Sequence, residues 1–225
     1  MRARVIVAYM IAFLFVLRVH GQEKPTHYNL AELSKANQLE AYNREVSSFS
    51  ENGKSGIRFS EKENDGIAWL KGATFSDGII EVDIKGKDVL QQSFVGVAFH
   101  GADDKQFEVI YFRPFNFQAQ DSVRRIHAVQ YVSLPDFDWQ RLRQEQNGKY
   151  EKAIGLKVNP NDWFHAKIVV QYPQIQVFIN GESKVSLQVE QLSNRRTGKL
   201  GLWVGNQSDG DFANLTVVNK KSPAE

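Results

Sequence analysis

The chain has 225 residues, no cysteine, and 28 basic against 26 acidic side chains. Without thiols it has no disulfides, no thiolate metal site and no cysteine nucleophile. Its near-balanced charge argues against a nucleic-acid partner, because such binders draw affinity from a basic excess that neutralises phosphates.

The N-terminus reads as a secretory signal peptide spanning residues 1–21. Arg2 and Arg4 precede an apolar run from Val5 to Leu17, and Val19-His20-Gly21 ends on a small residue. That run of 13 residues is short of the ~20 that a helix needs to span a bilayer. Cleavage would leave no membrane span; Arg18, close to the cleavage point, leaves retention as an anchor as the alternative. The expected location is secreted or periplasmic, and a disulfide-free exported chain leans toward a bacterial periplasm or medium. Without Arg2, Arg4 and Arg18 the 28 basic residues fall to 25 against 26 acidic ones.

Residues 22–56 read as an N-terminal arm and first strand region, in which Leu30, Leu33 and Leu39 are poorly spaced for a helix. From Ile57 onward, short alternating runs are separated by Asp65-Gly66, Asp77-Gly78, Asn147-Gly148, Asn180-Gly181 and Asp209-Gly210. Such pairs supply turns with φ > 0, and many short strands with regular turns read as a sandwich or barrel. The spacing predicts strands over 78–85, 93–100, 105–113, 125–133, 163–172, 174–180, 183–189, 199–206 and 211–218. One domain over 57–218 follows, with a tail at 219–225. In GIIEVDIK, Ile80, Val82 and Ile84 fall on one face and Glu81, Asp83 and Lys85 on the other. One helical excursion breaks the pattern, from Asp136 to Glu145, carrying Trp139 and Leu142 three residues apart.

The runs FEVIYFR and RIHAVQYVS place Glu108, Tyr111, Arg113, Arg125, His127, Gln130 and Tyr131 on strands. Strands rich in hydrogen-bonding side chains line polar grooves. On this reading the ligand-binding candidates are Tyr111, Arg113, Arg125, His127, Gln130, Tyr131 and Trp139. The catalytic candidates are Glu108, His127 and Tyr131. Of the four tryptophans, Trp69, Trp163 and Trp203 sit in alternating runs and read as core, whereas Trp139 reads as a groove-rim contact. No zinc spacing is present around His100 or His165.

Together, WLKGATFSDGIIEVDIKG, SFVGVAFHG, FEVIYFRPFNF, DWFHAKIVV, VFINGE and GKLGLWVGNQSDGDFANLTV resemble the concanavalin A-like lectin/glucanase superfamily. Within it, the chain is similar to laminin-G-like jelly rolls and to bacterial domains related to 3-keto-disaccharide hydrolases and family-sixteen glycoside hydrolases. The resemblance implies an all-β, antiparallel jelly-roll sandwich of two curved sheets, with sugars lying across the concave one. It also raises a structural Ca²⁺, with Asp77, Asp209 and Asp211 as loose candidates, and no other cofactor.

The family-sixteen pattern E-x-D-x-x-E or E-x-D-x-E is matched only as Glu81-Val82-Asp83, with Lys85 or Gly86 in place of its last carboxylate. Retaining hydrolysis needs a second carboxyl at about 5–5.5 Å. A polysaccharide lyase would instead use a Tyr or His base beside an arginine that clamps a uronate; only Ile126-His127 reproduces a fragment of that pattern. Three readings stand at this point: an exported glycan-binding domain, a glycan-degrading hydrolase or lyase using the same groove, and a laminin-G-like protein-interaction domain.

Overall fold

The computed structural model describes residues 24–155 and 158–220. The signal-peptide reading of residues 1–21 lies outside the described residues.

Strands are numbered along the chain. The first sheet has eight, in the spatial order β13 (Leu187–Glu190), β12 (Gln174–Ile179), β11 (Phe164–Gln171), β6 (Gly78–Lys85), β15 (Gly210–Asn219), β4 (Lys54–Phe59) and β3 (Val46–Glu51), with β1 (Thr26–Tyr28) also on β15. The second has seven, in the order β10 (Glu151–Lys152), β9 (Val129–Ser133), β8 (Glu108–Phe112), β7 (Val95–Gly101), β14 (Gly198–Val204), β5 (Gly66–Phe75) and β2 (Leu39–Tyr42). Pairing is antiparallel throughout the described ladders. Among the described residues three short α-helices, α1 (Leu30–Lys35), α2 (Ser122–Arg125) and α3 (Trp139–Glu145), and one 3-10 turn at Pro114–Asn116 join them. The expected two-sheet all-β sandwich is the observed fold.

Alternation explains the layering. Ile80, Val82 and Ile84 of β6 are fully buried, and so are Ala166, Ile168 and Val170 of β11 beside them. Glu81, Asp83, His165 and Lys167 point the other way and stay partly exposed. Removing each aliphatic side chain from water contributes roughly 1.5–3 kcal/mol, so a one-residue slip in register would invert the whole strand. Phe112 of β8 meets Phe164 of β11 edge-on, with ring centroids 5.0 Å apart. Phe112 therefore faces the eight-stranded sheet, and its neighbour Tyr111 faces away from it.

Four expectations are corrected. The 22–56 arm is woven into both sheets through β1, β2, β3 and α1, where Leu30 and Ala31 are buried and Asn29 caps the helix by accepting from the Glu32 N–H. The long strand β5 escaped notice because its first five residues, Gly66 to Leu70, are all buried and show no alternation. The strand expected at 125–133 begins only at Val129: Asp121 accepts from the Val123 N–H and turns Ser122–Arg125 into helix. The excursion at α3, starting at Trp139 under the Asp138 cap, is thus one of three short helices instead of the single one expected.

Candidate functional site

A cavity of about 810 Å³ opens on the outward face of the seven-stranded sheet, lined by residues of β8, β9 and β14 and by loops at 65, 90–94, 113–127, 138–143 and 205–207. Its floor is one transverse row. Cα pairing places Glu151 of β10 beside Gln130 of β9, Gln130 beside Tyr111 of β8, Tyr111 beside Gly96 of β7, and Gly96 beside Trp203 of β14. Cross-strand partners share a face, so these side chains rise together. Gly96 contributes no side chain, and a Cβ there would lie 2.7 Å from Tyr111 Cβ. Its absence lets the Tyr111 and Trp203 rings meet across β7 at 5.2 Å between centroids. Phe94 and Phe115 extend this aromatic wall, with centroids 5.4 Å apart.

Arg113 ties the row together. Buried at the end of β8, it donates from Nη2 to Tyr111 Oη at 2.6 Å and to Gln130 Oε1, and from Nη1 to the His127 carbonyl at 2.9 Å. Its guanidinium lies over the Tyr111 ring at 4.8 Å. Tyr111 in turn donates to Gln130 Oε1 at 2.6 Å. Burial pushes the Tyr111 phenol up to about 12, so it serves as a fixed hydrogen-bonding group and not as a base.

At the β10 end of this row Glu151 collects three cationic or imidazole partners. His127 Nδ1 stands 2.7 Å from Glu151 Oε2, Arg143 Nη2 3.0 Å from the same oxygen, and Arg113 Nη1 3.6 Å from it. Burial alone would raise the Glu151 carboxyl, but Arg143 and His127 outweigh it and hold it below its ordinary range. Arg143, bonded to this carboxylate, also lies over the Trp139 indole at 5.1 Å.

Asp65 lines the cavity directly, as does Asp138, whereas Glu151 stands behind it. Burial raises Asp65 to about 6, against the opposing pull of Arg44 and the Trp203 indole. That indole N–H approaches Asp65 without completing a hydrogen bond. The loop carrying Asp65 is organised by buried Arg44, which donates to the carbonyls of Asn43 at 2.8 Å, Lys62 at 2.8 Å, Asn64 at 2.6 Å and Gly205 at 2.9 Å. Gly66 is required there, since a Cβ would collide with Arg44 Cγ.

The cavity brings together Tyr111, Arg113, His127 and Trp139, with Gln130 bonded beneath them. It excludes three other sequence candidates. Glu108 and Tyr131 pair in register with Phe99, Ser133 and Ile110, on the face that meets the other sheet, and both are fully buried. There Tyr131 Oη accepts from the Leu192 N–H at 3.0 Å, and Glu108 accepts from Gln191 Nε2 at 2.9 Å and from Ser193 Oγ. Arg125 turns away to the carbonyls of Ala119 and Gln120. Arg124, one helical position earlier, lines the cavity instead and donates to Phe115 O at 2.8 Å.

Trp203 is buried as expected and in addition lends one edge to the cavity wall; Trp69 is core, with its indole on Asp104 at 2.7 Å. Asp65 and Glu151 went unread because one sits in a turn dipeptide and the other in a two-residue strand.

The calcium candidates are dispersed. Asp77 accepts from the Tyr172 N–H, Asp209 pairs with Lys87 at 3.1 Å, and Asp211 pairs with Arg58 at 2.8 Å. Asp77 adjoins one end of β6, and Asp211 pairs with Lys85 at the other, so they cannot share one ion. Among the described residues no three His, Cys, Asp or Glu side chains are grouped as a metal site.

The two paired antiparallel sheets, with the cavity on the outward face of one of them, form a β-sandwich of the jelly-roll class. The chain belongs to the 3-keto-alpha-glucoside-1,2-lyase-like domain family, whose pattern it matches over residues 30–218. Among solved structures it is similar to the carbohydrate-binding module CBM66 of Bacillus subtilis, with 16% identity, a TM-score of 0.57, and coverage of 81% of this chain and 96% of that one. A Parabacteroides distasonis protein described as a proposed glycosyl hydrolase gives 13% identity, a TM-score of 0.55, and coverage of 87% and 100%. The exoplasmic/lumenal domain of VIP36, bound to Ca²⁺ and Man3GlcNAc, gives 10% identity, a TM-score of 0.51, and coverage of 84% and 85%. At these identities the likeness is one of fold. Comparison with curated protein sequences finds no match.

Proposed function

We propose that the protein is exported and binds the sugar of a glycoside in the cavity above Tyr111 and Trp203. The observation that carries this reading is the pairing of an aromatic wall with an oriented polar floor. Sugar rings present C–H faces that pack on aromatics, while their hydroxyls need fixed donors and acceptors. Tyr111, Trp203 and Phe94 supply the first, and His127, Asn116, Gln207 and Asp65 the second.

The cations favour a neutral sugar. Arg113, Arg124 and Arg143 are already bonded to Gln130, Phe115 O and Glu151, so a uronate carboxylate would have to compete with these partners for the guanidinium groups. This argues against a uronate-specific lyase.

A second reading, elimination from an oxidised glucoside, is favoured by one arrangement: His127 backed by Glu151 at 2.7 Å, with Asp65 as a separate carboxyl raised to about 6. The family's name describes 1,2-elimination on a 3-keto-alpha-glucoside. In that chemistry a base removes the C2 proton made acidic by the C3 ketone. The C1–O bond then breaks, and the leaving oxygen takes a proton from an acid. His127 Nε2 would be the base and Asp65 the acid.

Glycan-array binding followed by calorimetry, with product release measured on 3-keto glucosides, tests both readings. Binding without turnover keeps the first and removes the second. Edman sequencing of the secreted protein tests export: a mature chain starting after Gly21 is the expected result.

A further inference from the structure

Two large apolar side chains stand exposed at the edge of the same cavity: Leu90, 57% exposed, and Trp139, 48% exposed, both part of its lining. Each is held in place. Leu90 sits in a turn closed by Gln92 N–H to Val89 O at 3.1 Å, whose base is fixed by Lys87 N–H to Ser93 Oγ and by Asp88 N–H to Asn161 Oδ1, each at 2.9 Å. Trp139 opens α3 under the Asp138 cap, and its indole is covered on one side by Arg143, itself bonded to Glu151.

Exposed apolar groups scattered singly need no explanation; groups gathered at one opening do. A cavity of about 810 Å³ is also larger than one hexose fills, since pockets of roughly 300–1,000 Å³ enclose drug-sized ligands. The sugar floor and the apolar edge are chemically different halves. We infer that the cavity takes a glycoside whose aglycone is apolar and planar, its sugar on the Tyr111–Trp203 floor and its aglycone between Leu90 and Trp139. This rests on the glycoside reading given above and adds the class of leaving group.

The test is calorimetric titration of the whole protein with methyl and p-nitrophenyl α-glucosides, each in parent and 3-keto form, and with maltose. An aromatic contact adds about 0.5–1.5 kcal/mol beyond the area it buries, and tenfold in affinity corresponds to about 1.4 kcal/mol. The aryl glucoside is therefore expected to bind about tenfold tighter than the methyl one in whichever sugar form binds. In Leu90→Ser and Trp139→Ala that ratio falls toward one; both side chains are exposed, so the fold is unaffected. A ratio near one in the unmodified protein, or maltose matching the aryl glucoside, overturns the apolar aglycone while leaving the sugar site standing. Equal binding of p-nitrophenol alone, or no glucoside binding at all, overturns both.

Discussion

His127 Nδ1 and Glu151 Oε2 stand 2.7 Å apart, and the carboxylate that holds the imidazole also holds Arg143 at 3.0 Å. Nδ1 lies on the carboxylate side of the ring, which leaves Nε2 as the nitrogen free to meet a ligand. His127→Gln is expected to leave the fold intact and to lower affinity for a bound glucoside about tenfold, or to abolish any elimination on a 3-keto glucoside. Calorimetry and single-turnover assays separate the two outcomes. Unchanged binding and turnover would remove His127 from the site.

Glu151→Gln should be more damaging to stability than His127→Gln. It leaves Arg113, Arg143 and His127 facing a neutral amide, and breaking a buried ion pair costs about 3–5 kcal/mol. Because Arg143 is partly exposed, a loss of about 2–4 kcal/mol is expected in urea unfolding at pH 7.

Asp65 makes stability fall with rising pH. Burial lifts its carboxyl from 3.8 to about 6 in the folded protein, so the native state binds more protons than the unfolded state across that window. Stability from this group is fully present below about pH 4 and declines as pH rises to about 6. Asp65→Asn should flatten that slope and raise the unfolding free energy at pH 7.5 by about 2 kcal/mol. An unchanged pH profile would show that Asp65 is not buried as described.

Tyr131→Phe separates the two faces of β9. The hydroxyl accepts from the Leu192 N–H in the core, so its removal should cost about 1 kcal/mol of stability. Glucoside binding should be unaffected, because Tyr131 and the cavity lie on opposite sides of the sheet. Lost binding in a folded Tyr131→Phe protein would contradict that placement.

These contrasts show what the sequence could and could not reveal. The sandwich was legible because β6, β11 and β12 alternate strictly, and each has one buried face. Tyr111, Arg113 and His127 were legible as a polar cluster because arginine and histidine rarely occupy strand interiors without partners. The side of the sheet each residue faces was not. Strand parity carried back to Arg125 would put Tyr131 on the same face as His127, but Asp121 caps a helical turn that ends the parity argument before Val129. Glu108 lies three residues from Tyr111 and so faces the opposite side; only the Phe112–Phe164 contact reveals which side is core. Asp65 and Glu151 owe their roles to Arg44, Arg143 and His127, partners distant in sequence or reached across a loop.

The central claim is that sugar binds over Trp203 on the seven-stranded sheet. Its most direct test is the ¹H–¹⁵N spectrum of the four tryptophan indoles during titration with p-nitrophenyl α-glucoside and its 3-keto form. The account predicts saturable shifts of the Trp203 and Trp139 resonances, with Trp163, which packs by Phe49 on the opposite sheet, unmoved. Shifts confined to Trp163, or binding that leaves Trp203 and Trp139 unperturbed, would contradict it.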